Sequence, residues 1–146
     1  MLQIVDDNHH IPDEKYFIQW INIISQYIEI NTNRLTIRIV SQTEIQQLNL
    51  QFRDQNKPTN VLSFPANLPD IVEDDYLGDI IICADVVEQE AVRDNKPLQA
   101  HWAHMLVHGA LHLAGYDHIK EAEAQAMEVL EVKILQKIGF DNPYEI

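Results

Sequence analysis

The chain has 146 residues, 46% of them hydrophobic, with one cysteine and a formal net charge of −13. That length suits one domain with its own core, and the lone Cys83 excludes a disulfide framework and fits a reducing compartment. No apolar run approaches the ~20 residues of a membrane span, and no basic region followed by an apolar stretch opens the chain, so a single cytoplasmic domain over residues 1–146 is expected.

In chain order, residues 2–6 alternate weakly and read as a short strand. Pro12 followed by Asp13 and Glu14 marks a helix start, and Phe17, Trp20, Ile21, Ile24 and Ile28 recur as an apolar stripe. Leu35, Ile37 and Ile39 alternate with Thr36 and Arg38, a strand with one buried face. Ser41 and Glu44 have capping-box spacing and open a helix to near residue 51. Val61 to Phe64 form a short strand closed by Pro65, and an acidic loop spans residues 66–76. Ile80, Ile81 and Ile82 form a continuous apolar run, consistent with a strand buried on both faces. Asp85 and Glu88 resemble a capping box for a helix to near Asn95, and Pro97 opens the next helix. A last helix over residues 120–138 carries Ala122, Ala126, Val129, Leu130 and Ile134 at helical spacing and ends at Gly139. The pattern predicts an α+β fold: a small mixed sheet packed with about five helices.

The richest stretch runs from His104 to His118. On a helix, His108 and His112 lie one turn apart on one face, so both imidazoles can reach one ion. Gly115 stands where a left-handed residue stops a helix, and the chain then folds back to bring His118 in from the following turn. Three protein ligands with a fourth position open is the arrangement of catalytic rather than structural zinc. The spacing equals that of the metzincin proteases, whose motif continues His-Glu, but position 109 is glycine. The cage is kept and the peptidase base is absent. His101 and His104 extend the same face within an arc of about 80°. His104 is expected to support a ligand or face substrate, and His101 to be solvated near the helix start.

The acidic total argues against general phosphate binding, but the charge is uneven. Residues 31–60 hold Arg34, Arg38, Arg53 and Lys57 against Glu44 and Asp54, whereas residues 69–91 hold eight acids and no base. Taken alone, Arg53 reads as a surface arginine.

Three blocks resemble the YbeY family, bacterial rRNA maturation factors with single-strand endoribonuclease activity. They are Phe52-Arg53 with Lys57-Pro-Thr-Asn-Val-Leu-Ser-Phe-Pro65, Leu77-Gly-Asp-Ile80, and His108-Gly-x-Leu-His112-Leu-x-Gly-Tyr-Asp-His118. The order of elements agrees along the whole chain, including the closing Asn-Pro-Tyr; Phe52 replaces a common tyrosine. The resemblance implies a Zn2+-like metal on His108, His112 and His118, with Arg53 and His108 required for activity. It implies single-stranded RNA as substrate, 3′-end maturation of small-subunit (16S) rRNA, ribosome quality control, and the small ribosomal subunit with its assembly factors as partners. Asp117 reads equally as an orienter of a ligand imidazole or as a turn residue. The nucleophile is water activated at the metal or an RNA 2′-hydroxyl. Competing readings are a non-catalytic ribosome assembly factor with a structural metal and a zinc peptidase-like hydrolase.

Overall fold

A computed structural model describes residues 2–4, 10–66, 76–116 and 120–144. Among the described residues, four strands form one sheet: β1 (Leu2–Ile4), β2 (Leu35–Val40), β3 (Val61–Pro65) and β4 (Gly78–Cys83), in the order β1-β2-β4-β3. β1, β2 and β4 run parallel, and β3 pairs antiparallel with β4 as an edge. The described residues also form five helices, which pack on it: α1 (Glu14–Ile24), α2 (Gln42–Arg53), α3 (Ala84–Arg93), α4 (Leu98–Leu113) and α5 (Glu121–Ile138). The mixed sheet with five helices is the α+β fold expected.

Alternation along the strands divides the core. Leu35, Ile37, Ile39, Ile80 and Ile82 face α1, α4 and α5 in the larger cluster. Val40, Ile81 and Cys83 face the other way and pack with Ile45 of α2. Burial on both faces explains the unbroken isoleucine run of β4, which lies between β2 and β3. α4 is the central helix of the larger cluster: eleven of its sixteen residues are buried, so apolar side chains surround it on nearly every side. Trp102, in its second turn, has no exposure and lies edge-on to Phe17 of α1 at 6.0 Å. Each such large side chain contributes about 1.5–3 kcal/mol on burial.

Several local expectations hold. Ser41 caps α2 by accepting from the Glu44 amide. Gly78 opens β4 at φ +139, where a Cβ would meet the Phe64 carbonyl at 2.2 Å, so only glycine lets β3 pass so close. Two expectations fail. α3 begins at Ala84 directly from β4 with no side-chain cap, and Asp85 lies inside its first turn. In α5 the buried face is Met127, Glu131, Ile134 and Leu135, while Ala122, Ala126 and Val129 are exposed. The helix is rotated from the predicted stripe and carries a carboxylate into the core. The acidic loop predicted at 66–76 falls largely in 67–75, outside the described residues. Among the described residues, no helix is long and apolar enough to cross a membrane.

Candidate metal centre and its cleft

The turn after α4 is built as predicted. The Tyr116 amide donates to the Leu111 carbonyl and the Gly115 amide to the His112 carbonyl, both at 3.0 Å, with Gly115 at φ +100. This paired arrangement closes the helix and turns the chain. It also aims the Tyr116 carbonyl back at α4, where it accepts from His112 Nδ1 at 3.0 Å.

His108 Nδ1 donates to Glu131 Oε1 of α5 at 2.7 Å. Both acceptors, a carboxylate and a carbonyl, can only receive a proton, so both rings are Nδ1–H tautomers when neutral. Their Nε2 lone pairs then converge, 3.0 Å apart. Two lone pairs this close repel unless a proton or a cation lies between them. The donor set therefore fits a divalent metal held through both Nε2 atoms, which take such ions at about 2.0–2.1 Å. His118 and Asp117 lie outside the described residues.

A second group of metal-capable side chains overlaps this one. His104, His108 and Glu131 place ligand atoms within 4.8 Å of one another. Their contacts have hydrogen-bond lengths: His104 Nε2 to Glu131 Oε2 is 2.8 Å, and the Tyr144 hydroxyl donates to the same oxygen at 2.6 Å. Glu131, 1% exposed, receives three donors on two oxygens. Burial pushes its pKa up, but the bonds from His104 and His108, the nearby His108 charge and the Tyr144 bond outweigh that and hold it at about 2, against an ordinary 4.5. Burial and the Glu131 carboxylate push the Tyr144 phenol well above its usual value, so it stays a donor.

Arg53 ends α2, just before Asp54 in a left-handed conformation. Its Nη2 donates to the Ser63 carbonyl on the β3 edge at 2.9 Å, and its guanidinium lies 5.8 Å from the Phe64 ring. Arg53, Val61, Ser63, His108, His112 and Tyr116 line one cleft of about 650 Å³. The structure thus brings Arg53 together with His108 and His112, which lie 55 and 59 positions further along the sequence.

Gly109 faces the floor of that cleft. A Cβ there would stand 2.7 Å from Ile80 Cγ2 and 3.1 Å from Val61 Cγ2, and its carbonyl accepts from the buried Ser63 hydroxyl at 2.7 Å. The metzincin glutamate has no room at this position. The metzincin motif is also followed by a methionine turn, but Met127, the one methionine after His118, is buried inside α5.

His101 is not solvated as expected: it is 5% exposed and its Nε2 bonds Glu90 of α3 at 2.9 Å. His104 bonds Glu131, the same carboxylate that accepts from His108. Glu131 itself was missed, because a glutamate on a helix reads as solvated. The available signal was its place on the stripe Met127, Glu131, Ile134, Ile138.

Comparison with known proteins agrees with this architecture. The solution structure of TM1509 from Thermotoga maritima matches with a TM-score of 0.60 at 26% identity, over 100% of both chains. A family model described as Endoribonuclease YbeY matches residues 3–139. The chain therefore belongs to the YbeY family of endoribonucleases, hydrolases of RNA phosphodiester bonds that act in rRNA maturation.

Proposed function

We propose that the cleft between α2, β3 and α4 cuts single-stranded RNA, in 3′-end maturation of small-subunit (16S) rRNA and in ribosome quality control. The observation that carries this reading is one cleft lined by both Arg53 and the converging histidine pair. His108, His112 and His118 would hold one Zn2+. Bound there, the ion would supply Lewis acidity and a water of pKa about 7.

The chain's own residues do the rest. Arg53 binds the phosphate and stabilises the charge that develops on its oxygens, as a planar fork suited to two parallel hydrogen bonds. Ser63 and Phe64 hold that fork in place, since the bond to Ser63 uses only one of its donors. Glu131 and Tyr116 fix the two imidazoles. Val61 and Leu62 give the cleft an apolar wall that limits water. The family match over residues 3–139 supports one domain across 1–146. The same reading places the protein in the cytoplasm, with the small ribosomal subunit and its assembly factors as partners. The low basic content supports a strand presented by that particle over one captured from solution.

The test is cleavage of an end-labelled single-stranded RNA by wild type, Arg53→Ala and His108→Ala purified side by side. Cleavage by wild type alone is expected, with Arg53→Ala down by about 10²–10³-fold and its stability nearly unchanged. Equal cleavage by all three would assign the activity to a contaminant and favour an assembly factor with a structural metal. Cutting of an RNA carrying a 2′-deoxy residue at the scissile position would identify water as the nucleophile.

A further inference from the structure

We infer that Glu131 is a positioning residue for the cleft: it sets the tautomer and the aim of His108, and Tyr144 and His104 hold it in place to do so. This rests on the reading of His108 as a metal ligand through Nε2.

An imidazole can offer either ring nitrogen. The carboxylate of Glu131 accepts from His108 Nδ1 at 2.7 Å, which places the proton on Nδ1 and leaves the Nε2 lone pair facing the cleft. A carboxylate on the other side of a ligand histidine also makes the metal-bound nitrogen more basic. Glu131 lies on a different helix, 23 positions beyond His108, so the aim of the ligand depends on how α5 docks against α4.

The rest of the network explains why the side chain is a carboxylate. Oε1 takes the His108 proton, and Oε2 takes those of His104 Nε2 and the Tyr144 hydroxyl. Only a group that accepts at both ends satisfies all three. Glutamine would keep the shape but turn one end into a donor, which must then face either the His108 ring or the His104–Tyr144 pair. In the first case His108 would shift its proton to Nε2 and lose the lone pair aimed at the cleft. Tyr144 closes the network from the C-terminal Asn-Pro-Tyr, and its ring packs edge-on to His104 at 5.6 Å. That short terminal motif gains a role it does not have as a surface tail.

The experiment has two arms on the full chain. The first reads the ring tautomer of His108 in metal-free wild type by ¹⁵N–¹H correlation across the imidazole. The Nδ1–H form is expected; the Nε2–H form overturns the inference without any variant. The second measures zinc affinity by competition with a chelator, alongside thermal melts, for wild type, His112→Ala, Glu131→Gln and Tyr144→Phe. Glu131→Gln should bind zinc about 10–100-fold more weakly, and Tyr144→Phe more weakly by a smaller factor. His112→Ala should lose most of its affinity. Should His112→Ala bind as wild type does, the cleft reading itself fails, and a metal held by His104, His108 and Glu131 takes its place. Should His112→Ala lose zinc while Glu131→Gln binds at wild-type strength, the positioning inference alone is overturned.

Discussion

Four histidines share one stripe of α4, yet its two ends treat them differently. At the N-terminal end, His101 and His104 are buried, and each commits Nε2 to a carboxylate: Glu90 of α3 and Glu131 of α5. At the C-terminal end, His108 and His112 commit Nδ1 instead, to Glu131 and to the Tyr116 carbonyl, and both point Nε2 into the cleft. The helix supplies the same residue type at near-regular intervals. What separates an imidazole that ties helices together from one that faces a cleft is the acceptor beside it, and which ring nitrogen that acceptor reaches. Glu131 touches both ends and is the boundary between them.

The largest predicted effect comes from pushing the cleft end of α4 off the sheet. Gly109→Glu puts a side chain where even a Cβ stands 2.7 Å from Ile80 and 3.1 Å from Val61. The helix has to lift from β3 and β4, breaking the Ser63 hydroxyl bond to the Gly109 carbonyl. Overpacking and the buried charge together should cost at least about 3 kcal/mol, read as a drop in the urea midpoint. The variant restores the peptidase motif on paper, but no peptidase activity is expected. A stable Gly109→Glu protein would mean that the cleft floor yields, and the sequence argument against a peptidase would then stand without its structural support.

How much of this was legible in the sequence depends on the range of the interaction. The Ser41 cap, the glycine turn at Gly115 and the isoleucine run of β4 are set by neighbours a few positions away, and they appear where the pattern put them, although the Glu44 side chain turns to Arg38. The convergence of His108 and His112 follows from helix geometry alone. The strand order β1-β2-β4-β3 needs pairings between distant segments, which no local periodicity encodes. The burial of His101 and Glu131 was hidden for a related reason. A polar residue on an inward face is permitted only by its partner, and those partners lie 11 positions away for His101 and 23 and 27 for Glu131. Composition rules assign both residues to solvent.

The buried end gives the next prediction, in pH. Burial lowers the His101 pKa below its ordinary 6.5; the Glu90 hydrogen bond and charge act the other way without cancelling it, and His104 and Lys96 lower it further. The unfolded chain therefore takes up the proton first. This histidine's contribution is present above pH 6.5 and is lost as the pH falls below it, towards the folded pKa. Glu131 has a separate window: held at about 2, it contributes above its ordinary 4.5 and loses that contribution as the pH falls from 4.5 towards 2. His101→Phe should cost about 1–2 kcal/mol at neutral pH, because Glu90 loses one partner but keeps Asn60. In that variant the melting temperature should decline less between pH 7 and 5 than in wild type, while RNA cleavage at neutral pH is retained. Loss of cleavage would place His101 with the cleft pair and erase the distinction between the two ends.

The smallest effect sharpens the comparison from the cleft side, in salt. The buried end meets carboxylates, whereas the cleft end opens beside Arg53, and Lys57 follows four positions later on the loop that Asn49 ties down through the Lys57 carbonyl. Against a net charge of −13, these few cations can neutralise few phosphates. Free single-stranded RNA should bind only at about 10⁻⁴–10⁻⁶ M near physiological salt, the range of contacts made to the backbone without sequence readout. Lys57→Ala should reduce the slope of log affinity against log salt by about 1 and weaken all sequences alike. Filter binding across a salt series measures both quantities. Nanomolar affinity for free RNA would mean that the cleft recognises bases directly, through its apolar wall and Tyr116, and the strand would then need no particle to present it.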